Sequence, residues 1–227
     1  MQIVRLTLGA HLAMLLAGQS KPAEPSAEEV IARMVAADNA RLAKSTGYTG
    51  KRRYHLENKR FKVTAEMSVS VVCNSHGAKT FQILSSKGPG AIRGRVFQPM
   101  LDAETDGTRK ESRQDTRLLP ANYDFRMIGQ EVLNGRNNFV LEATPKTQNK
   151  YLIQGRIWVD AEDYATTRME GSPSKNPSFW TRKIRIEHRY VKTGGLWLPI
   201  ANRSEADVMI FGTTLVTIDY SDYVINP

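Results

Sequence analysis

The chain has 227 residues, of which 41% are hydrophobic and 24% are charged. This composition is typical of a globular protein and excludes a disordered or fibrous chain. A single cysteine, Cys73, excludes an intramolecular disulfide and the CxxC pairs of metal and redox sites. The formal net charge is +9, and residues 41–117 carry 16 basic and 7 acidic side chains, an excess equal to the whole net charge.

The first 20 residues are typical of a secretory signal peptide. Arg5 precedes an apolar run over residues 6–16, and small and polar residues follow that run. The run is shorter than the roughly 20 apolar residues that a membrane-spanning helix needs. An interfacial anchor or a buried helix is the alternative interpretation. Gln19 follows LLAG at the position where lipoprotein processing needs a cysteine. The sequence therefore predicts a periplasmic, non-lipidated protein.

After a linker over residues 21–25, residues 26–227 are predicted to form a single domain. Ser26 and Glu29 have the spacing of a helix-capping box, and apolar residues follow at helical intervals up to Ser45. Gly47 is typical of a residue that follows a helix end. The resulting long helix has one apolar face, which must pack against another element.

Strands are predicted next. Residues 61–73 alternate strictly between apolar and polar, which indicates a half-buried antiparallel strand. A basic strand over residues 48–56 precedes it, and a return strand containing Phe81 and Ile83 follows it. Residues 92–100 predict a second, weaker helix interrupted by Pro99, and residues 102–117 predict a surface loop or a flexible helix end.

From residue 123 onward, short apolar segments alternate with turn residues at regular intervals, which predicts an antiparallel meander. The segments are residues 125–128, 131–133, 139–143, 151–160, 166–171, 181–190, 197–211 and 215–223. The expected fold class is mainly β (α+β). A single sheet of about ten strands with one apolar face tends to curl around that face. One helix is too small to fill such a sheet, so we expect a partly filled hydrophobic cavity beneath the two helices.

Alternate residues of a strand lie on the same face of the sheet, so the apolar residues at alternate positions are candidates for lining this cavity. They are Phe61, Val63, Met67, Val69, Phe81, Ile83, Ile157, Val159, Ile184 and Ile186. Phe179 and Trp180 end a proline-rich segment between two strands. This aromatic pair is either a rim of the cavity or a plug for the end of the sheet.

No catalytic, metal or cofactor site is predicted. The acidic residues Asp160, Glu162 and Asp163 fall in a hairpin, where acidic side chains are common because they solvate the turn backbone. His188 lies between apolar positions of its strand, which favours a core or rim histidine over a general base. The position of Cys73 on an apolar face favours an inert buried thiol.

Lys51 and Arg53 lie on one face of the basic strand. Two interpretations of this basic face stay open, namely an electrostatic contact with anionic phospholipid headgroups or an acidic partner, and a solvated surface without a partner. The predicted export argues against nucleic acid as a partner.

Hairpin motifs in the second half of the chain resemble those of the LolA-like outer-membrane lipoprotein-sorting proteins. The resemblance is most specific over YDF at residues 123–125, GQE at 129–131, GR at 135–136, the strand 139–142 with PK at 145–146, and GRIWVD at 155–160. The Leu198-Pro199 pair and the order of elements, a signal peptide, a long helix and a meander, agree with that superfamily.

This resemblance implies a curved, incomplete β-barrel closed by helices over a hydrophobic cavity. It also implies a non-catalytic periplasmic carrier or binding protein for lipoprotein acyl chains or another lipid, which exchanges with a membrane-bound donor or acceptor. A cell-envelope sensor or scaffolding module that binds a protein partner is the alternative. Family carriers use an arginine to latch the helical lid, and no motif selects it among Arg52, Arg53, Arg60, Arg93 and Arg95.

Overall fold

The structure is a computed structural model that describes residues 24–107, 114–177, 179, 181–210 and 212–227. The predicted signal peptide and Trp180 lie outside the described residues. In the described part of the chain, ten strands form one antiparallel sheet. In chain order, β1 to β10 are Tyr48–Asn58, Val63–Cys73, Lys79–Lys87, Tyr123–Leu133, Arg136–Pro145, Ile153–Asp160, Thr166–Pro173, Thr181–Thr193, Leu196–Val208 and Gly212–Ile225.

The sheet is a meander whose ends do not pair with each other. Its spatial order is β3-β2-β1-β10-β9-β8-β7-β6-β5-β4, so the first and last strands of the domain, β1 and β10, pair with each other inside the sheet. Strands β3 and β4 form the two edges. This arrangement confirms the predicted mainly β fold with an open sheet of about ten strands.

The predicted N-terminal helix is confirmed as α1, Ala27–Ala43, and its capping box is formed. The Ser26 hydroxyl accepts a hydrogen bond from the Glu29 amide at 3.2 Å, and the Glu29 carboxylate accepts one from the Ser26 amide at 2.9 Å. Val30, Ile31 and Met34 form the buried stripe of the helix. These residues pack against strands β4 to β7 in one core cluster.

The second helical region, residues 90–107, is called the lid segment below. It consists of α2, Gly90–Ile92, a π-helical turn over Arg93–Phe97, and α3, Gln98–Gly107. Pro99 does not end the helix, because the wider π-helical turn immediately precedes the proline ring, which would clash within a regular helix. Of the two alternatives predicted from residue 102 onward, the structure shows a helix end and not a loop as far as Gly107, where α3 ends.

Two strand boundaries also differ from the prediction. Residues 125–128 and 131–133 belong to the single strand β4, whose register against β5 shifts between Met127 and Gly129. This bulge explains why the alternation breaks and looks like two strands. Strand β2 begins at Val63, because Lys62 adopts a positive φ of 51° and Phe61 therefore lies in the preceding turn.

Both helical units cover the same face of the sheet, called the inner face. The lid segment packs against β1, β2 and β10 through Phe97 and Leu101, in a cluster separate from that of α1. A third, smaller cluster around Tyr48 and Cys73 closes one end of the sheet. Within the described ranges, none of the helices has the length and apolar character that a membrane crossing requires.

Candidate functional site

The central part of the inner face, over β8, β9 and β10, lies between the two helical units. A cavity of about 770 Å³ occupies this space. Its volume is within the range of small-molecule sites. Lining residues come from the sheet, the lid segment and the segments before β4 and β6. They are Tyr54, Lys79, Met100, Ala103, Glu104, Thr116, Tyr151, His188, Tyr190, Pro199, Asn202, Ile218 and Tyr220.

Strand register brings one residue of every strand into a single row across the inner face. From edge to edge the row is Ser86, Met67, Tyr54, Ile218, Asn202, His188, Met169, Ile157, Leu141 and Met127. The row is largely apolar beneath α1 and beneath the lid segment. Its centre is the polar pair His188 and Asn202, and both of these residues line the cavity.

The polar pair is held together but retains further hydrogen-bonding capacity. The Asn202 amide nitrogen lies 3.4 Å from each ring nitrogen of His188. Burial lowers the pKa of His188, because a low-dielectric surrounding disfavours the imidazolium. The histidine is therefore neutral at physiological pH, and its ring offers one donor and one acceptor.

Two tyrosines flank this pair. Tyr190 and Tyr220 line the cavity, and no hydrogen bond among the described residues uses either hydroxyl. Burial, and to a smaller extent the nearby Glu104 carboxylate, raise the pKa of Tyr190 to about 12. Both effects disfavour the phenolate, so this hydroxyl stays protonated and remains a hydrogen-bond donor.

An ion cluster fixes the lid segment to the sheet. The Arg52 guanidinium, on β1, pairs with both carboxylate oxygens of Glu104 on α3, and its side chain is only 1% exposed. The rings of Phe81 and Tyr220 each lie 4.9 Å from the guanidinium carbon of Arg52. Lys79, on β3, donates to the same carboxylate at 2.6 Å. Two cations from two strands thus converge on one lid carboxylate.

Electrostatics keep this cluster charged. Burial alone would raise the pKa of Glu104, but the charges and hydrogen bonds of Lys79 and Arg52 outweigh burial and lower the pKa to about 2. Arg52 stays protonated for the reciprocal reason, because its bonds to Glu104 raise the pKa of the guanidinium despite the opposing effect of burial. Among the five arginines that the sequence left open, Arg52 forms an ion pair with a described side chain of the lid segment.

A second cavity of about 460 Å³ lies next to the first. It extends from the end of α1, at Asp38 and Arg41, to Leu196 and Leu198 on β9. The two cavities share Lys79, Tyr190 and Pro199 as lining residues. These three residues therefore mark the junction between the cavities.

The structure distributes the predicted lining residues over three environments. Met67, Val69, Ile157 and Val159 are at most 1% exposed and belong to the core clusters beneath the helices. Val63, Phe81, Ile184 and Ile186 are buried or half-buried along the inner parts of their strands. Phe61 and Ile83 are 50% and 42% exposed, because Phe61 lies in a turn and Ile83 lies on the edge strand.

The side chains that line the 770 Å³ cavity in the described part of the chain are other residues, and many of them are polar. Sequence parity selected apolar positions, four of which lie in the core clusters beneath the helices, whereas the part of the sheet between the helices is more polar. The available signal was the interruption of apolar parity by His188 and Asn202. Of the predicted rim pair, Phe179 is 86% exposed and Trp180 lies outside the described residues.

The acidic hairpin is a structural junction. Asp160 is paired with Arg136 at 2.6 and 2.7 Å and accepts backbone hydrogen bonds from Glu162 and Asp163. Asp163 in turn accepts from the Trp197 indole at 3.1 Å and pairs with Lys192 at 2.8 Å. No group of three or more metal-ligating side chains occurs in the part of the chain that the structure describes.

The basic face is paired with acidic residues of β10. Lys51 lies 3.0 Å from Asp222, and Arg53 lies 3.5 Å from Asp219. The side chains of Lys51 and Arg53 are 59% and 66% exposed. These pairings offset part of the local positive charge that the sequence indicated.

An open antiparallel sheet with a long helix and a lid segment beside a cavity on its inner face agrees with the mainly β fold that the sequence predicted. No family model matches the sequence, and no curated protein matches it at a significant level. Solved structures are similar over most of the chain at low identity. A DUF1329 family protein from Desulfovibrio piger is 14% identical, with 89% of this chain and 94% of that chain covered and a TM-score of 0.47.

Two further structures show the same degree of similarity. A LolA superfamily protein from Nitrosomonas europaea is 13% identical, covers 90% of this chain and 95% of its own, and has a TM-score of 0.41. A putative outer membrane lipoprotein-sorting protein domain from Vibrio parahaemolyticus is also 13% identical, covers 86% and 92%, and has a TM-score of 0.43.

Proposed function

We propose that this chain is a periplasmic carrier or binding protein that takes up the acyl chains of a lipoprotein or another lipid and carries out no catalysis. The observation that carries the proposal is the cavity of about 770 Å³ on the inner face, which the helical lid segment borders. Met100, Ala103 and Ile218 give the cavity apolar surface for hydrocarbon chains. Each buried methylene contributes about 0.8 kcal/mol, so a long acyl chain supplies enough free energy for binding after association costs.

The lid segment supplies the entry route in this proposal. One of its faces packs on the sheet through Phe97 and Leu101, and the cavity-facing side carries Met100, Ala103 and Glu104. The Arg52–Glu104 pair holds the closed position, so breaking this pair would free the end of α3. Arg52 would then serve as the latch that the family resemblance implies.

The test compares the lipid that co-purifies with the wild-type protein and with a variant whose cavity is filled by a large side chain. Protein purified from membrane-containing cells should release lipid in denaturing mass spectrometry. Ala103→Trp places a large side chain in the cavity and should abolish the co-purified lipid. Ala91→Trp is the matched control, because Ala91 is exposed on α2, and it should retain lipid. Absence of lipid from the wild-type protein, or equal lipid in both variants, would contradict the proposal.

The exposed edge strand β3 supports a second candidate function, which is binding of a protein partner in the cell envelope. Beyond Phe81, the edge strand β3 is exposed, and it includes Ile83 at 42% and Leu84 at 50% exposure. Unpaired strand edges accept an added strand from another protein. A pull-down from envelope extracts with wild-type protein and with Leu84→Pro checks this candidate, since proline removes a backbone donor from the edge. Loss of a captured partner in the variant would support it.

A further inference from the structure

The polar residues of the cavity are not explained by binding of hydrocarbon alone. Lys79, His188, Tyr190, Asn202 and Tyr220 are called the polar patch here, and all five line the same cavity. A purely apolar ligand would remove water from the Tyr190 and Tyr220 hydroxyls without replacing its hydrogen bonds. Leaving buried donors unpaired costs free energy. The patch therefore indicates a ligand with a polar group that reaches the cavity floor.

The charged side chains on and next to the cavity wall indicate the sign of the charge on the ligand's polar group. Arg52 and Lys79 are both cationic, and both pair with the one carboxylate of Glu104. Lys79 and Glu104 are the charged side chains among the described lining residues, and Arg52 lies directly behind them. The two cations of this cluster thus exceed its single carboxylate by one positive charge. A net charge in a poorly solvated site is stabilised by a ligand of opposite sign.

Lys79 is the cation positioned to meet such a ligand. Its ammonium group has three donors, of which the bond to Glu104 uses one. Its side chain is 20% exposed, whereas that of Arg52 is 1% exposed, so Lys79 is the accessible member of the cluster. Lys79 and Tyr190 both lie at the junction of the two cavities. A head group bound there leaves space on both sides for hydrocarbon.

We infer that the polar patch receives the head group of a singly charged anionic amphiphile of the long-chain carboxylate class. Lys79 pairs with the anion, and the hydroxyls of Tyr190 and Tyr220 donate hydrogen bonds to it. The neutral His188–Asn202 pair offers further hydrogen-bonding groups in the same cavity. This inference rests on the proposed function, because it specifies the lipid that the cavity takes.

The experiment measures displacement of the neutral fluorescent probe N-phenylnaphthylamine from delipidated protein. Palmitate, methyl palmitate and hexadecanol are compared at concentrations below their aggregation thresholds, because the three share a chain and differ in head group. Since hydrogen bonds to charged groups are stronger than neutral ones, palmitate should bind wild-type protein about ten-fold more tightly than the ester or the alcohol. Equal affinities for all three compounds would overturn the inference and leave the proposed function intact.

Two lysine variants test whether Lys79 is responsible for the tighter binding of palmitate. Lys79→Met removes the positive charge and keeps an unbranched chain, so it should weaken palmitate binding about ten-fold and leave methyl palmitate binding unchanged. Lys183→Met, at an exposed lysine of β8, is the control for the overall positive charge and should change neither. An equal loss in both lysine variants would contradict the assigned site. If neither the probe nor any of the three compounds binds, the proposed function itself fails, and if Lys79→Met does not fold, the wild-type series still decides the inference.

Discussion

The two helical units cover the same sheet by different means. Helix α1 attaches through a continuous apolar stripe, with Val30, Ile31 and Met34 at most 1% exposed, and its polar contacts lie at its edges. The lid segment buries Phe97 and Leu101, but its last helix also carries Glu104, which a buried arginine and a lysine hold. Apolar burial is non-directional, whereas an ion pair is lost when its atoms separate. The difference makes α1 a fixed part of the core and α3 the element suited to open.

The largest expected effect comes from breaking the ion cluster on one side. Arg52→Met leaves the half-buried Glu104 carboxylate with Lys79 as its remaining partner. Removing one partner of a fully buried pair costs about 3–5 kcal/mol, so the free energy of unfolding should fall by an amount near the lower end of that range in urea denaturation. Arg53→Met, at the exposed neighbouring position, should change it by less than about 0.5 kcal/mol.

A double variant shows whether that loss of stability comes from the broken ion pair or from the lost packing of the Arg52 side chain. Replacing both partners, in Arg52→Met with Glu104→Met, removes the buried charges together, and such replacements are often neutral or stabilising. Most of the lost stability should therefore return. A double variant as unstable as Arg52→Met alone would show that Arg52 acts through its packing between Phe81 and Tyr220 and not through the pair.

Truncation in α1 should cost somewhat less and leave the lid unaffected. Met34→Ala removes a fully buried side chain from the helix, and such substitutions cost about 2–5 kcal/mol. Leu42→Ala, 40% exposed on the same helix, is the matched control and should cost well under about 1 kcal/mol. Fluorescence-probe association rates should be unchanged in Met34→Ala and faster in Arg52→Met. A faster rate in Met34→Ala would contradict the assignment of α1 as the fixed unit.

The smallest effect is the pH dependence of the lid attachment. Because the pKa of Glu104 is lowered from 4.5 to about 2 in the folded protein, its ionised form contributes stability that is fully present above the unfolded pKa. This contribution is lost as the pH falls from about 4.5 to 2. The stability difference between wild type and Glu104→Gln should therefore be constant from pH 7 to about 5 and shrink below that. A difference that grows on acidification would contradict the pairing.

Local sequence signals predicted the parts of the fold that depend on neighbouring residues. The Ser26–Glu29 capping box and the alternation of β2 each reflect contacts within one element. The lid segment was predicted only in part, because a proline in a helical pattern usually ends the helix and the π-helical turn that accommodates Pro99 has no sequence signature.

The candidate site was harder to predict, because it depends on strand register. Arg52 and Glu104 are 52 positions apart, and nothing in the local pattern of either residue points to the other. The His188–Asn202 pair forms because β8 and β9 align in one particular register, and both residues resemble ordinary strand interruptions in the sequence. Apolar parity therefore located the packed core and not the cavity beside it.

Native-state hydrogen exchange in the lipid-free protein tests most directly whether α1 is fixed and α3 can open. Amides of residues 27–43 should exchange only through global unfolding, with the same free energy as the core strands. Amides of residues 98–107 should exchange through a smaller, local opening, which Arg52→Met lowers further. Equal opening free energies in the two helices, with no change in α3 upon Arg52→Met, would contradict the account.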